Sequence, residues 1–536
     1  MSDSCKFRWS ISGGLFAMAL FQMATANLAP ADFSETKSTW RQDVSELRTW
    51  TDSTGQHQTQ AKFVELRGTN VTLMLENGKE IQIALEKLSS EDRRIARQFA
   101  KASKPTRPEP KSNADTTKNA SDSEQEAAST SAESPASNDW IQWRGPNRDG
   151  ISHETGLLQS WPEGGPPVAY QTEGLGGGFS SVAIAAGRLY TMGKFGDETR
   201  LLALDATDGK LLWQTPVGNG GEGPNCTPTI DEDRVYALSF AGDLVCAESA
   251  TGKVLWRTNF PNDFGGKMMS SWGYSESPLV DGPHLIVTPG APNAALAALD
   301  KKTGRVVWRT PMPANTGQAG QDGAGYSSIV ISNARGVKQY IQFVGRGIIS
   351  ADAKTGQFLW GYNRIANGTA NIPTPIVLDD LVFCSSGYDD GGSALLRVSG
   401  SRNQLSVSEV WYKRANELQN HHGGMILVGD HVYMGHGHNN GFPVCFDLKT
   451  GRDRWRPGRG AGTGSAAVTY ADGRFYFRYE NGTMALIDAS AEDYFERGRF
   501  RIAINNGQSW PHPVISDGKL YLRDQHQLIV YDIRQN

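Results

Sequence analysis

ALDKKTGRVVWRT, residues 298–310, is the stretch whose reading decides the architecture. It runs as an apolar strand, a turn built on Asp300, Thr303 and Gly304, and a second strand carrying Trp308, which together make a β-hairpin. The same unit recurs as ALDATDGKLLWQT at 203–215, CAESATGKVLWRT at 246–258, SADAKTGQFLWGY at 350–362 and CFDLKTGRDRWRP at 445–457. A lone hairpin buries too little to be stable. Repeated about every 47 residues with no helical pattern between copies, it must stack on its neighbours, and four-stranded sheets stacked in this way form a β-propeller.

A second recurrence counts the blades. A small polar residue precedes a short apolar run at Ser180, Thr227, Ser277, Ser327, Thr374, Gly423, Ser465 and His512, where Gly423 and His512 depart from the pattern. The fold class expected is therefore all-β, an eight-bladed propeller over residues 139–536. Trp411 serves the fifth unit, whose turn has drifted to GSRNQ, and the seventh ends without a Trp. After His512 the chain has room for only three strands, PVIS, KLYLR and LIVYD. The spare segment PPVAYQT at 166–172 is expected to supply the fourth and close the ring, removing the open edges.

The chain has 536 residues, a net charge of −4 and 38% hydrophobic residues, an ordinary soluble balance with no basic surplus to suggest nucleic acid as a partner. Its start differs. Lys6 and Arg8, the short apolar run ISGGLFAMALFQM and the small residues Ala24-Thr25-Ala26 read as a signal peptide over 1–26, with an uncleaved anchor as the alternative. No later segment is apolar enough to span a bilayer, so a periplasmic or secreted protein is expected. Cys226, Cys246, Cys384 and Cys445 form no CxxC or adjacent pair and read as buried thiols.

Residues 40–100 form a separate small unit. AKFVEL, VTLML, an Asn77-Gly78 turn and IQIAL alternate as half-buried strands, and Ser89 with Asp92 opens a helix carrying Ile95 and Phe99 on one face. RTWTDSTG, Ala61, Phe63 and LEKLSSED resemble the first homology domain of the Sla-type endocytic adaptors. That resemblance implies an SH3-like barrel and a protein or peptide partner. A spacing module is the other reading. Between this unit and the propeller, 101–138 lacks Val, Ile, Leu, Met, Phe, Trp and Tyr and reads as a disordered tether.

Propellers gather ligands at the mouth of the central channel. The residues before each innermost strand should form a ring there, including Asn225, Trp272, Glu276, Tyr326, Asn371 and Trp510, with Arg346 in a GRG loop nearby. Aromatics mixed with a few polar groups suit a small polar ligand, and channel filling is the alternative use. His421, His422, His436, His438 and His512 all fall on this face in blades six to eight, where imidazoles could share a divalent metal.

The D-x-x-TGKxxW units resemble the pyrroloquinoline quinone (PQQ) repeat of quinoprotein dehydrogenases and of BamB-type assembly proteins. DWIQWRGPNRDGIS at 139–152, NHHGGMI and WPHPVISDGKLYLR are similar to secreted PQQ-repeat proteins of the polyvinyl-alcohol-dehydrogenase-like kind. The resemblance implies that an enzyme of the family would stack PQQ on Trp272 or Trp510. Glu276 and Asn225 would then hold a divalent cation, and Arg346 would neutralise the quinone carboxylates. The chain lacks the adjacent cysteines found in many of those enzymes and the c-type haem signature. The cofactor is thus undecided and the motif for PQQ with its cation incomplete. The leading expectation is a binding or scaffold module at the cell envelope; the alternative is a PQQ-dependent oxidoreductase acting on alcohols or sugars.

Overall fold

A computed structural model describes residues 47–52, 57–67, 70–75, 77–89, 92–93, 95–96, 99 and 138–535, apart from 315, 389, 402–403 and 503–507. The expected leader, and the tether up to 137, lie outside the described residues. The chain divides into two compact units, Met1–Ser129 and Thr130–Asn536. Among the described residues, no helix is long and apolar enough to cross a membrane.

In the first unit, strands Arg48–Thr51, Gln58–Arg67, Asn70–Leu75 and Glu80–Ala84 pair in chain order as one antiparallel sheet. Trp50, Phe63, Val71, Leu73, Leu88, Ile95 and Phe99 make its core. Asp92 ties the pieces together: its carboxylate accepts from Thr51 N at 2.7 Å and Ser89 Oγ at 2.8 Å, and pairs with Arg48 at 2.7 Å.

The second unit holds eight four-stranded antiparallel sheets, the blades of a β-propeller. Seven use consecutive strands. The eighth joins Val514–Ser516, Lys519–Asp524 and Gln527–Asp532 to Val168–Thr172 from the start of the unit, with Val530 opposite Tyr170. The borrowed strand is a full replacement. Every blade shifts register by one residue between its third and fourth strands, and the closing pair does the same at Val530/Tyr531.

The repeat motif is explained by contacts between blades. In the turn, the Asp carboxylate accepts from the Thr backbone and hydroxyl, as Asp300 Oδ1 does from Thr303 N at 2.8 Å and Oγ1 at 2.7 Å. The turn glycine has positive φ and lies under the Trp of the preceding blade. A Cβ on Gly252 (φ 75°) would meet Trp213 Cε3 at 2.4 Å, and one on Gly304 would meet Trp256 at 2.7 Å. The indole N–H then donates to a turn carbonyl, Trp213 to Ser249 O at 3.2 Å and Trp256 to Lys301 O at 3.1 Å. Tyr170 on the closing strand takes the Trp role against Gly209 and donates its hydroxyl to Ala206 O at 3.0 Å.

In blades one to five the small polar residue that opens a unit has its own task, which in blades one and four falls to Ser181 and Ser328, one residue after the expected Ser180 and Ser327. Thr227 Oγ1, Ser277 Oγ, Ser328 Oγ and Thr374 Oγ1 accept from the backbone N–H of Ser181, Thr227, Ser277 and Ser328, linking blades one to five around the axis. Ser181 Oγ donates to His512 O at 2.8 Å, joining blade one to blade eight.

Residues 140–154 close one end of the channel. Trp140 bridges to Ile184, Ile141 O accepts from Ile230 N, and Ile151 bridges to Tyr470. The buried Arg148 donates to the carbonyls of Ser277 and Pro278, and the buried Arg144 to those of Gly423 and Met425. One short segment thereby binds innermost strands from opposite sides of the ring. Cys226, Cys246, Cys384 and Cys445 are free and buried.

Candidate functional site

Above the plug, the loops leading into the innermost strands and those joining second to third strands enclose an axial cavity of about 540 Å³. Its wall is a chain of rings. Phe179 lies 4.4 Å from Trp510, Trp510 4.7 Å from His422, and His422 stacks on His421 at 4.0 Å. His438 follows at 4.3 Å from His421 and 4.6 Å from Tyr388. Across the cavity Trp272 meets Tyr326 edge-on at 6.0 Å, and Trp143, rising from the plug, contacts His512 at 5.4 Å.

Hydrogen bonds set these groups in place. Asn225 Nδ2 donates to Trp272 O and Ser275 Oγ, both at 3.0 Å, and Trp272 N donates to Tyr326 OH at 3.3 Å. The Trp272 side chain itself stays 40% exposed, an unusual state for an indole in a channel. His421 Nδ1 lies 2.8 Å from Ser465 Oγ and its Nε2 3.2 Å from Tyr388 OH. Four polar atoms in and beside this wall are buried with no hydrogen-bond partner among the described residues: Nδ1 of His422, His438 and His512, and Nε1 of Trp510.

Burial keeps the imidazoles of His421, His422 and His512 neutral. Desolvation pushes His421 down to about 4 and His512 to about 3, and takes His422 well below the usual imidazole range. Among the described residues lining the cavity there is no Lys or Arg, and the only carboxylates are Glu222 and Glu480.

Of the sequence-derived candidates, the cavity brings together Asn225, Trp272, Tyr326, Trp510, His421, His422 and His512, with His438 stacked behind them. The rest lie elsewhere. Glu276 is 3% exposed, and its carboxyl accepts from Thr288 N and Oγ1 of its own blade and from Gln342 Nε2 of the next. Asn371 is fully buried, donating to Val344 O and Gly345 O. Arg346 points outward to Asp322 at 2.7 Å. His436 Nδ1 is occupied by Gln419 N at 3.2 Å, outside the cavity.

The expected metal set does not converge. Stacked rings hold their in-plane nitrogens side by side, and among the described residues no three His, Cys, Asp or Glu side chains are placed to share an ion. Sequence reading missed Trp143, whose segment belongs to no repeat, and Phe240, Tyr388, Gln508 and Gln525. Phe240 and Gln525 had a signal. Both occupy the position of Glu480 in the loop after the second strand, as alignment of SFAGD, YENGT and DQHQ shows.

A family model described as "Outer membrane protein assembly factor BamB" matches residues 140–242 and 197–457. The chain belongs to the PQQ-repeat β-propeller family. A second model, SLA1 homology domain 1, matches 39–104. Curated relatives of this family member include tetrathionate hydrolase of Acidithiobacillus ferrooxidans, 28% identical over 194 residues, which are 34% of this chain and 36% of that one. Another is the dehydrogenase subunit of a quinone alcohol dehydrogenase from Gluconobacter oxydans, 26% identical over 304 residues, 53% of this chain and 37% of that one. The chain thus spans little more than a third of these relatives' length. Quinohemoprotein alcohol dehydrogenases from Comamonas testosteroni and Pseudomonas putida HK5 share its fold. The TM-scores are 0.51 and 0.52 at 14% identity, over 74% of this chain and 80% and 81% of theirs.

PQQ carries three carboxylates and needs cationic partners, whereas this lining is made of neutral imidazoles, amides, aromatic faces and two carboxylates. Glu276 and Arg346, which would have held its cation and its carboxylates, lie away from the cavity. The residues do not fit the group.

Proposed function

We propose that this protein is a ligand-binding propeller of the cell envelope and not a quinoprotein dehydrogenase. The observation that supports this reading is the chemistry of the axial cavity. Rings and neutral hydrogen-bonding groups converge there without a cationic side chain among the described residues. Such a wall favours a small ligand without negative charge and disfavours an anionic quinone. The first unit, matched by the SLA1 homology domain 1 model, is read as a protein- or peptide-binding module, and the leader read at 1–26 supports a location at the envelope.

The test is direct. Full-length protein is mixed with PQQ and calcium, and quinone binding is followed by quenching of tryptophan fluorescence and turnover by reduction of an artificial dye with ethanol or glucose. Neither binding nor turnover is expected. Saturable quenching with dye reduction would establish the oxidoreductase reading, which the Gluconobacter relative favours. Fractionation of cells expressing the chain with and without residues 1–26 checks the location, and retention of the complete chain in the cytoplasm would contradict it.

A further inference from the structure

We propose that the axial cavity is a binding site for a neutral carbohydrate, a mono- or disaccharide held on Trp272. This rests on the reading of the cavity as a ligand site and adds the class of ligand.

The first argument is the pattern of vacant hydrogen-bonding atoms. His512 Nε2 lies 3.3 Å from the His422 carbonyl, and a carbonyl only accepts, so Nε2 carries the proton. Among the described residues, His512 Nδ1 is then a buried acceptor with no partner and Trp510 Nε1 a buried donor with none. Both residues line the cavity and both contact His422. A ligand that completes the pair must donate at one point and accept at the other. Hydroxyl groups do both, and vicinal hydroxyls do so side by side. Gln525 adds to the set, since its Oε1 accepts from Gly178 N at 3.0 Å and its amide nitrogen remains a donor.

The second argument is charge. Neutral imidazoles and two carboxylates, with no Lys or Arg among the described lining residues, select against sugar phosphates and uronic acids as they do against PQQ. The third is the platform. Trp272 is held edge-on by Tyr326 and keeps its indole open to the cavity, as stacking on the C–H face of a pyranose requires. A volume of about 540 Å³ has room for one or two sugar rings.

The experiment is calorimetric titration of the full chain with D-glucose, D-mannose, D-galactose, N-acetylglucosamine and cellobiose. Choline serves as the cationic probe and tricarballylate as the anionic one. At least one sugar is expected to bind with Kd of about 1 mM or tighter. Trp272→Ala should weaken it by about tenfold and Trp510→Phe, which keeps the ring and removes the N–H, by about threefold to tenfold. Melting temperatures of both variants should stay unchanged, a result that separates ligand contact from a structural role. Absence of sugar binding up to about 10 mM, or equal binding by wild type and Trp272→Ala, overturns the proposal. Binding of choline or tricarballylate in place of sugars also overturns it while leaving a ligand site in the cavity. Binding of PQQ with dye reduction removes the underlying reading as well.

Discussion

Glu276 separates the two functional readings, because a quinoprotein would use its carboxylate on a cation while the structure makes it a buried structural acid. Burial raises its pKa from 4.5 to about 7, outweighing the hydrogen bonds from Thr288 and the attraction of Arg148. A raised acid contributes stability that is fully present below the unfolded value and is lost as pH rises through the folded one, because the folded chain must then either hold a buried anion or release it. The interval from 4.5 to about 7 corresponds to about 3 kcal/mol, nearly all of it lost by pH 8 and about a quarter by pH 5. Glu276→Gln keeps the shape and cannot ionise. Urea unfolding of both proteins at pH 5 and pH 8 should therefore show the variant gaining about 2 to 3 kcal/mol on wild type between the two conditions. Other titrating groups cancel in the difference. Curves that shift in parallel would refute the assignment of a neutral, buried Glu276.

Three further outcomes are expected. Gly252→Ala should cost roughly 2–4 kcal/mol in denaturant unfolding, because its φ of 75° and the Trp213 ring at 2.4 Å both exclude a Cβ. At the ring closure, Tyr170→Ala should destabilise by about 2 kcal/mol while Tyr170→Trp, which restores the residue used in other blades, should be tolerated in the same assay. His421, held down to about 4 by burial, contributes stability that is present above 6.5 and lost as pH falls through about 4. The loss amounts to about 3 kcal/mol, and His421→Asn should flatten that part of the acid-unfolding curve.

The fold was legible because its signals are local and repeated. Asp300, Gly304 and Trp308 state a turn and a packing contact within a dozen residues, and Ser277 or Thr374 marks an innermost strand by the hydrogen bond that links blades one to five. Even ring closure could be read, since AYQT carries Tyr170 and Thr172 where WQT carries Trp213 and Thr215. The site was legible only in part. Position before an innermost strand told which residues approach the axis but not which way a side chain turns. Trp272 opens to the cavity, whereas Glu276, four residues on, turns into the blade toward Thr288. The plug was the larger omission. Trp143, Arg144 and Arg148 act through contacts with blades more than a hundred residues away, and no local pattern announces them.

A crystal structure of the full chain soaked with the tightest-binding neutral sugar decides whether the axial cavity is a carbohydrate site. Density is expected in the axial cavity, with a sugar ring against the Trp272 indole and hydroxyl oxygens within hydrogen-bonding distance of His512 Nδ1 and Trp510 Nε1. A sugar seated elsewhere, or an empty cavity in crystals that take up PQQ and a cation, would contradict it.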